Sequence, residues 1–260
     1  MATDSHFTIG SSHSICQDYA LHGENELYEY GIISDGCSGS KNTDVGARLL
    51  ALTAKNLIEQ SDYNFKNLIT ISRFEEFLLN NEIWDSPLVD DEAYDATLGI
   101  FIFDKRKGVI NIFFWGDGNI FVKFKDGKKD LLTISYESGA PFYLSYKAYG
   151  KTKSYEEVFG NKYAKVNFKS NHEVGTENRD QLDGMENLWH VIYVTEEIEF
   201  ICISSDGADS LSGGDKMELF DFKSLHGDFV KRRFRGIAKY LKKNNLAHYD
   251  DLSMAAISFT

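Results

Sequence analysis

Four aspartates stand at the ends of apolar runs: Asp18 closes SSHSICQD, Asp35 lies in GIISDG, Asp117 in FFWGDG and Asp206 in FICISSDG. A further acidic pair, Asp250-Asp251, directly precedes the last apolar run, LSMAAISF. Singly, an Asp-Gly after a strand is a turn. As a set these residues suggest chemistry, because strand ends in a packed sheet can bring carboxylates within a few ångströms of one another. Clustered carboxylates repel, and one of them retains a proton unless a cation neutralises the group. Mg²⁺ or Mn²⁺, hard cations that prefer oxygen ligands, would resolve that conflict. Glycine after a ligand also leaves the backbone carbonyl open to a metal. No His-x-x-x-His or Cys-x-x-Cys spacing offers zinc a better home, and Cys16, Cys37 and Cys202 are too few and too scattered for a disulfide framework.

The elements that would position these groups are mostly strands. Tyr28–Ser34, Ala96–Asp104, Val109–Trp115 and Asn119–Lys125 are apolar runs, the last three joined by the turn chemistry of Lys107-Gly108 and Asp117-Gly118. That order predicts a meander. Further strands are expected at Tyr163–Phe168, Trp189–Thr195, Glu199–Ser204 and Leu252–Phe259. Helical spacing of apolar residues predicts helices at Thr43–Glu59, Phe65–Trp84, Asp215–Phe222 and His226–Asn244. Two helices after the first strands and two before the last give an α+β class, a four-layer sandwich of two antiparallel sheets covered by helix pairs. With two prolines and no Ser- or Gly-rich linker, residues 1–260 read as a single domain. The polar stretch 137–187 reads as a flap.

The balance of 40 acidic against 28 basic residues, a formal charge of −12, argues against nucleic acid and anionic membranes as partners. The one basic run considered, Lys231–Arg235, reads as the solvated face of a C-terminal helix. No stretch reaches the roughly 20 apolar residues of a membrane span, and Met1–Gly10 lacks a signal-peptide pattern. The expectation is a cytoplasmic monomer.

Read in order, SSHSICQD, ISDGCSG, YDATLGIF, WGDGNIF, ISSDGADSL and YDDLSMAAISF resemble the signature blocks of the metal-dependent protein phosphatases, the PPM family of type 2C. The blocks run from about Gly10 to Phe259. The resemblance implies hydrolysis of phosphoserine and phosphothreonine on proteins by a hydroxide bridging two Mn²⁺ or Mg²⁺ ions, with a phosphoprotein substrate and a cognate Ser/Thr kinase as partners. It implies that Asp35 bridges both ions, that the Gly36 carbonyl binds one, and that Asp206 and Asp250 complete the other. Asp18 would act through water, with Gln17 in the place of a polar or acidic residue. Asp117 would help a weaker third ion, and Asp251 would cap a turn.

Three positions depart from the family pattern. His13 stands where the family carries a phosphate-binding arginine, and it reads equally as a phosphate ligand or as a hydrogen-bonded structural histidine. Cys37 replaces a histidine suggested as general acid in many members. Ser210 occupies the place of a third-metal aspartate, with Asp209 one residue early. These departures motivate a rival reading, a pseudophosphatase that keeps the fold as a binding or scaffolding module. A small-molecule or nucleotide phosphatase is a third.

Overall fold

The computed structural model describes residues 1–60, 89–160, 162–171, 188–211 and 216–260. The helix expected at 65–84 lies outside the described residues.

Eleven strands are described: β1 (Ala2–Thr8), β2 (Asp18–Glu24), β3 (Tyr28–Gly36), β4 (Ala96–Asp104), β5 (Val109–Trp115), β6 (Gly118–Phe124), β7 (Lys129–Tyr136), β8 (Ala164–Ser170), β9 (Leu188–Val194), β10 (Ile198–Ser204) and β11 (Leu252–Ser258). They form two antiparallel sheets. One has the order β1-β11-β10-β6-β7-β8, the other β2-β3-β4-β5-β9. Helix α1 (Thr43–Glu59) covers the second sheet. Two short helices, α2 (Leu144–Ala148) and α3 (Thr152–Phe159), follow β7. The first sheet is covered by α4 (Lys216–Leu219) and α5 (Phe229–Asn244). The four-layer α-β-β-α sandwich expected from the sequence is the observed architecture.

Both faces of the central strands are covered, which is why β4 and β11 are apolar without alternation and buried at every position. Ile33, Phe101, Ile112 and Phe114 of one sheet meet Ile120, Val122, Ile203 and Ala255 of the other between the layers. Outside the second sheet, Ala47, Leu50, Ala51, Ala54 and Ile58 of α1 form one stripe against Tyr30, Leu98 and Ile100. Outside the first, Phe229, Val230 and Phe234 of α5 pack on Phe121, Phe200 and Met254.

The meander expected over β4, β5 and β6 is corrected. Strands β4 and β5 pair as a hairpin, but β6 belongs to the other sheet and pairs with β10 and β7. The cause is Gly116-Asp117-Gly118. Gly116 has φ +92° and Gly118 φ +144°, left-handed values that side chains disfavour, and they turn the chain from one sheet into the other. Asp117 therefore sits at the seam between sheets. Strands β1, β2 and β7 carry polar residues at many positions, and their apolar content is too low to mark them in the sequence. In the stretch 137–187, the described residues include α2, α3 and β8, which pairs with β7. Among the described residues no helix is long and apolar enough to cross a membrane.

Candidate active site

The aspartates gather at one end of the sandwich because the strand registers bring them there. In the second sheet Asp18 of β2 faces Asp35 of β3, and Asp35 in turn faces Thr97 of β4. The Thr97 hydroxyl donates to Asp117 Oδ1 at 3.0 Å. In the first sheet β10 ends at Ser204, and Asp206 begins the 3₁₀ turn that follows. Asp250 and Asp251 immediately precede β11. Ser205 stitches the sheets together: its hydroxyl donates to Asp18 Oδ2 at 2.7 Å and accepts from the Ser253 backbone N–H at 3.0 Å.

The carboxyls are crowded and poorly compensated. Asp35 contacts the carboxyls of both Asp18 and Asp206, and Asp206 also feels the charge of Asp250. Asp18 is 1% exposed, and its Oδ1 is buried without a hydrogen-bond partner among the described residues. Burial pushes the Asp18 carboxyl up to about 7. Burial, then the charge of Asp206, pushes Asp117 up to about 7. Asp35 keeps partial access through the mouth of the site, yet burial and then the charges of Asp18, Asp206 and Asp117 hold it well above the usual carboxylate range. Asp206 is raised by burial and by the charges of Asp250 and Asp209, while a hydrogen bond with Asp35 and then the charge of Lys216 oppose the shift.

Among the described residues no three of these side chains already surround one point as ligands of a single ion would. The donor set nonetheless fits a hard cation. It consists of carboxylate oxygens, one of them buried and orphaned, whose mutual repulsion a divalent ion would relieve.

The flanking residues hold the cluster. Asp251 is buried and accepts from the Gly10 N–H at 2.8 Å and the Gln17 N–H at 2.6 Å, fastening the loop 10–17 to the start of β11. His13 lies between the two acids of that pair, Nδ1 3.1 Å from Asp251 Oδ2 and Nε2 3.6 Å from Asp250 Oδ1. The Asp251 carboxylate raises its pKa. The side chain of Gln17 turns away from the acids to donate to the Thr43 hydroxyl at 2.6 Å. Gly36 is pressed against Thr43, where a Cβ would come within 2.8 Å of that residue's side chain and carbonyl.

Several residues that sequence reasoning passed over also shape the site. Asp95, in the YDATLGIF block, accepts from Ser40 at 2.9 Å and from Ser145 of α2 at 2.6 Å, tying the loop after Asp35 to the segment after β7. Tyr143, just before α2, is buried and touches Cys37. Lys216 pairs with Asp209, so that aspartate is turned toward an ammonium group. The only local signal was polarity, of Asp95 and Ser205 within recognised blocks and of Lys216 beyond one, and polarity alone does not name a partner.

A family description, protein phosphatase 2C, matches residues 9–250 of the chain. Among solved structures, a bacterial serine phosphatase superposes with a TM-score of 0.60 at 12% identity, over 100% of this chain and 98% of its own. The serine/threonine phosphatase Stp1 from Staphylococcus aureus gives 0.59 at 11% identity, over 99% and 94%. The serine/threonine phosphatase of S. agalactiae gives 0.55 at 15% identity, over 98% of each chain. At these identities the structural likeness is one of fold. No curated protein sequence matches the chain.

Proposed function

The chain belongs to the protein phosphatase 2C family, and on that premise we propose that it hydrolyses phosphoserine and phosphothreonine on proteins with Mn²⁺ or Mg²⁺ held by the aspartate cluster. The observation that carries this reading is that Asp35 lies against the carboxyls of both Asp18 and Asp206, three acids from three separate elements, while Asp18 Oδ1 is buried without a partner among the described residues. A scaffold gains nothing from so costly an arrangement, because repelling buried carboxyls destabilise a fold that has no use for them.

When bound, the ions would supply Lewis acidity toward phosphoryl oxygens and an acidified water. Asp35, in contact with the carboxyls of Asp18 and Asp206, would serve two ions. The Gly36 carbonyl would join it on one side, with Asp206 and Asp250 on the other. Asp18 is oriented by the Ser205 hydroxyl and offers Oδ1. Asp117, fixed by Thr97, would serve a weaker third ion. Protons on these carboxyls must leave as the cations load. Asp251 and His13 keep the loop 10–17 beside the acids, and Asp95 keeps the loop after Asp35 in place. Cys37 has no nucleophilic role in this scheme.

The test is phosphate release from phosphoserine and phosphothreonine peptides with Mn²⁺, with Mg²⁺ and with chelator. Release only when the cation is present is expected. Activity that survives chelation would contradict the proposal. Tight cation binding without turnover on any phosphoester would favour the pseudophosphatase reading, which the loss of the family arginine at His13 motivates.

His13 permits a separate prediction. Its seat between Asp250 and Asp251 makes it a positioning residue for the loop 10–17. His13→Ala should therefore lower stability by about 1 kcal/mol and leave KM for a phosphopeptide within about twofold. A KM that rises about tenfold, with an unchanged melting temperature and with rescue by His13→Arg, would instead make it a phosphate ligand.

A further inference from the structure

On a chain of net charge −12, helix α5 carries Lys231, Arg232, Arg233, Arg235, Lys239, Lys242 and Lys243 and no acidic residue. Two of these have structural work. Arg232 donates to the His226 carbonyl, and Arg233 donates to the Leu219 carbonyl at 2.7 Å and to that of Glu218. The side chains of Lys231, Arg235, Lys239, Lys242 and Lys243 make no ion pair with a described residue. Helical spacing places Lys231, Arg235 and Lys242 in one row along one flank of the apolar stripe Phe234, Ile237, Ala238 and Leu241. The N-terminal turn of α5 lies against β1: the Val230 and Lys231 N–H groups donate to Asp4, and Phe234 meets the His6 ring edge-on at 5.1 Å.

Beside this row the stripe leaves an open groove of about 310 Å³ between α5 and the segment Thr8–Ser11. Ile9, Leu211, Phe234, Ile237, Leu241 and Leu252 make it apolar, and Ile9 at its wall is 44% exposed. His248, also in its lining, has a buried Nε2 with no hydrogen-bond partner among the described residues. The groove wall continues into the candidate active site: the Ser11 N–H donates to the His248 carbonyl at 2.8 Å, and the Gly10 N–H donates to Asp251. From Gly10 to His13 is three residues, at most about 10 Å of chain.

We propose that this groove docks an acidic peptide segment of the protein substrate, with an apolar anchor side chain in the cavity and its carboxylates along the Lys231, Arg235 and Lys242 row. The occupant follows from complementarity, since a concave apolar pocket accepts a side chain and a basic rail accepts carboxylates. An anionic membrane is disfavoured because the large apolar residues Phe229, Val230 and Phe234 of α5 are buried in the core and the rest of the stripe lines a concave groove, whereas a membrane-binding helix presents a continuous apolar face outward. The role as substrate docking rests on the phosphatase reading, while the binding itself does not.

The experiment is fluorescence anisotropy of the full chain with a fluorescein-labelled peptide of Glu and Asp around a central Leu-Glu-Glu-Leu. Control peptides replace the acids by Gln or the leucines by Ala. Binding to the first peptide alone, weakened at least about tenfold by Arg235→Glu/Lys242→Glu and by the groove-filling Ala238→Trp, is expected. Thermal melts verify that both variants fold. With a phosphoserine added to the acidic peptide, the same variants should raise KM while leaving hydrolysis of a small aryl phosphate unchanged. Equal binding of the acidic and Gln peptides, or undiminished binding by the charge-reversed variant, overturns the docking site. So does binding to phosphatidylserine vesicles in preference to the peptide. Absence of turnover on every phosphoester with peptide binding intact would overturn the phosphatase reading and leave the groove standing.

Discussion

Asp35→Asn is expected to lower kcat on a phosphoserine peptide by at least about a thousandfold, roughly 4 kcal/mol of barrier. The same change should raise the melting temperature of the chelated protein. Both effects have one origin. Asp35 contacts the carboxyls of Asp18 and Asp206 and lies within reach of the Asp117 charge. Removing its charge while preserving its shape relieves repulsion in the cation-free protein and takes away the ligand proposed to serve two ions. Loss of activity together with a lower melting temperature would mean that Asn had damaged the fold, and Asp35 would lose its assigned role. Activity within tenfold of the native chain would remove it from the centre of the site altogether. Cys37→Ser, by contrast, should leave most of the activity.

The second large effect is on stability against pH. Asp18 and Asp117 titrate near 7 in the folded chain and near 3.9 when unfolded. Between those values the folded state binds more protons than the unfolded one, so stability falls as pH rises and the loss is complete above about 7. A shift of about three units on a fully buried carboxyl corresponds to about 4 kcal/mol. A divalent cation removes the penalty by holding the carboxylates ionised. The difference in melting temperature between Mn²⁺-loaded and chelated protein should therefore be small at pH 5 and on the order of 10 °C at pH 8. Taking the difference cancels the histidines, which titrate in the same window. A difference that shrinks with rising pH, or that Asp18→Asn leaves unchanged, would exclude the cluster as the cation site.

Both effects have their origin in one arrangement of donors and acids. The sandwich tolerates the acids because Ser205, Thr97 and the backbone N–H groups of Gly10 and Gln17 each satisfy part of the set. What those donors leave over is the Asp18 Oδ1 and the contacts of Asp35 with two carboxyls. Folding supplies the framework, and under the proposed function the residual electrostatic cost would become affinity for a cation.

Much of this was written locally in the sequence. The helix over Thr43–Glu59 follows from its stripe of small and aliphatic residues, and the apolar runs of β4, β5, β10 and β11 follow from burial on both faces. The Asp-Gly steps after such runs marked where strands end, because a strand that leaves a covered sheet must turn where side chains are polar and φ is free. Tertiary structure alone decided the rest. It sent β6 into the opposite sheet through two glycines of positive φ, and it paired Asp18 with Ser205, 187 residues away. It also seated His13 on Asp250 and Asp251, turned Asp209 toward Lys216, and set the α5 stripe against Ile9 to leave a groove. The physical reason is range. Periodicity and turn chemistry act over a few residues, whereas strand register and the packing of layers fix which distant polar groups meet, and a carboxylate's chemistry depends on what it meets.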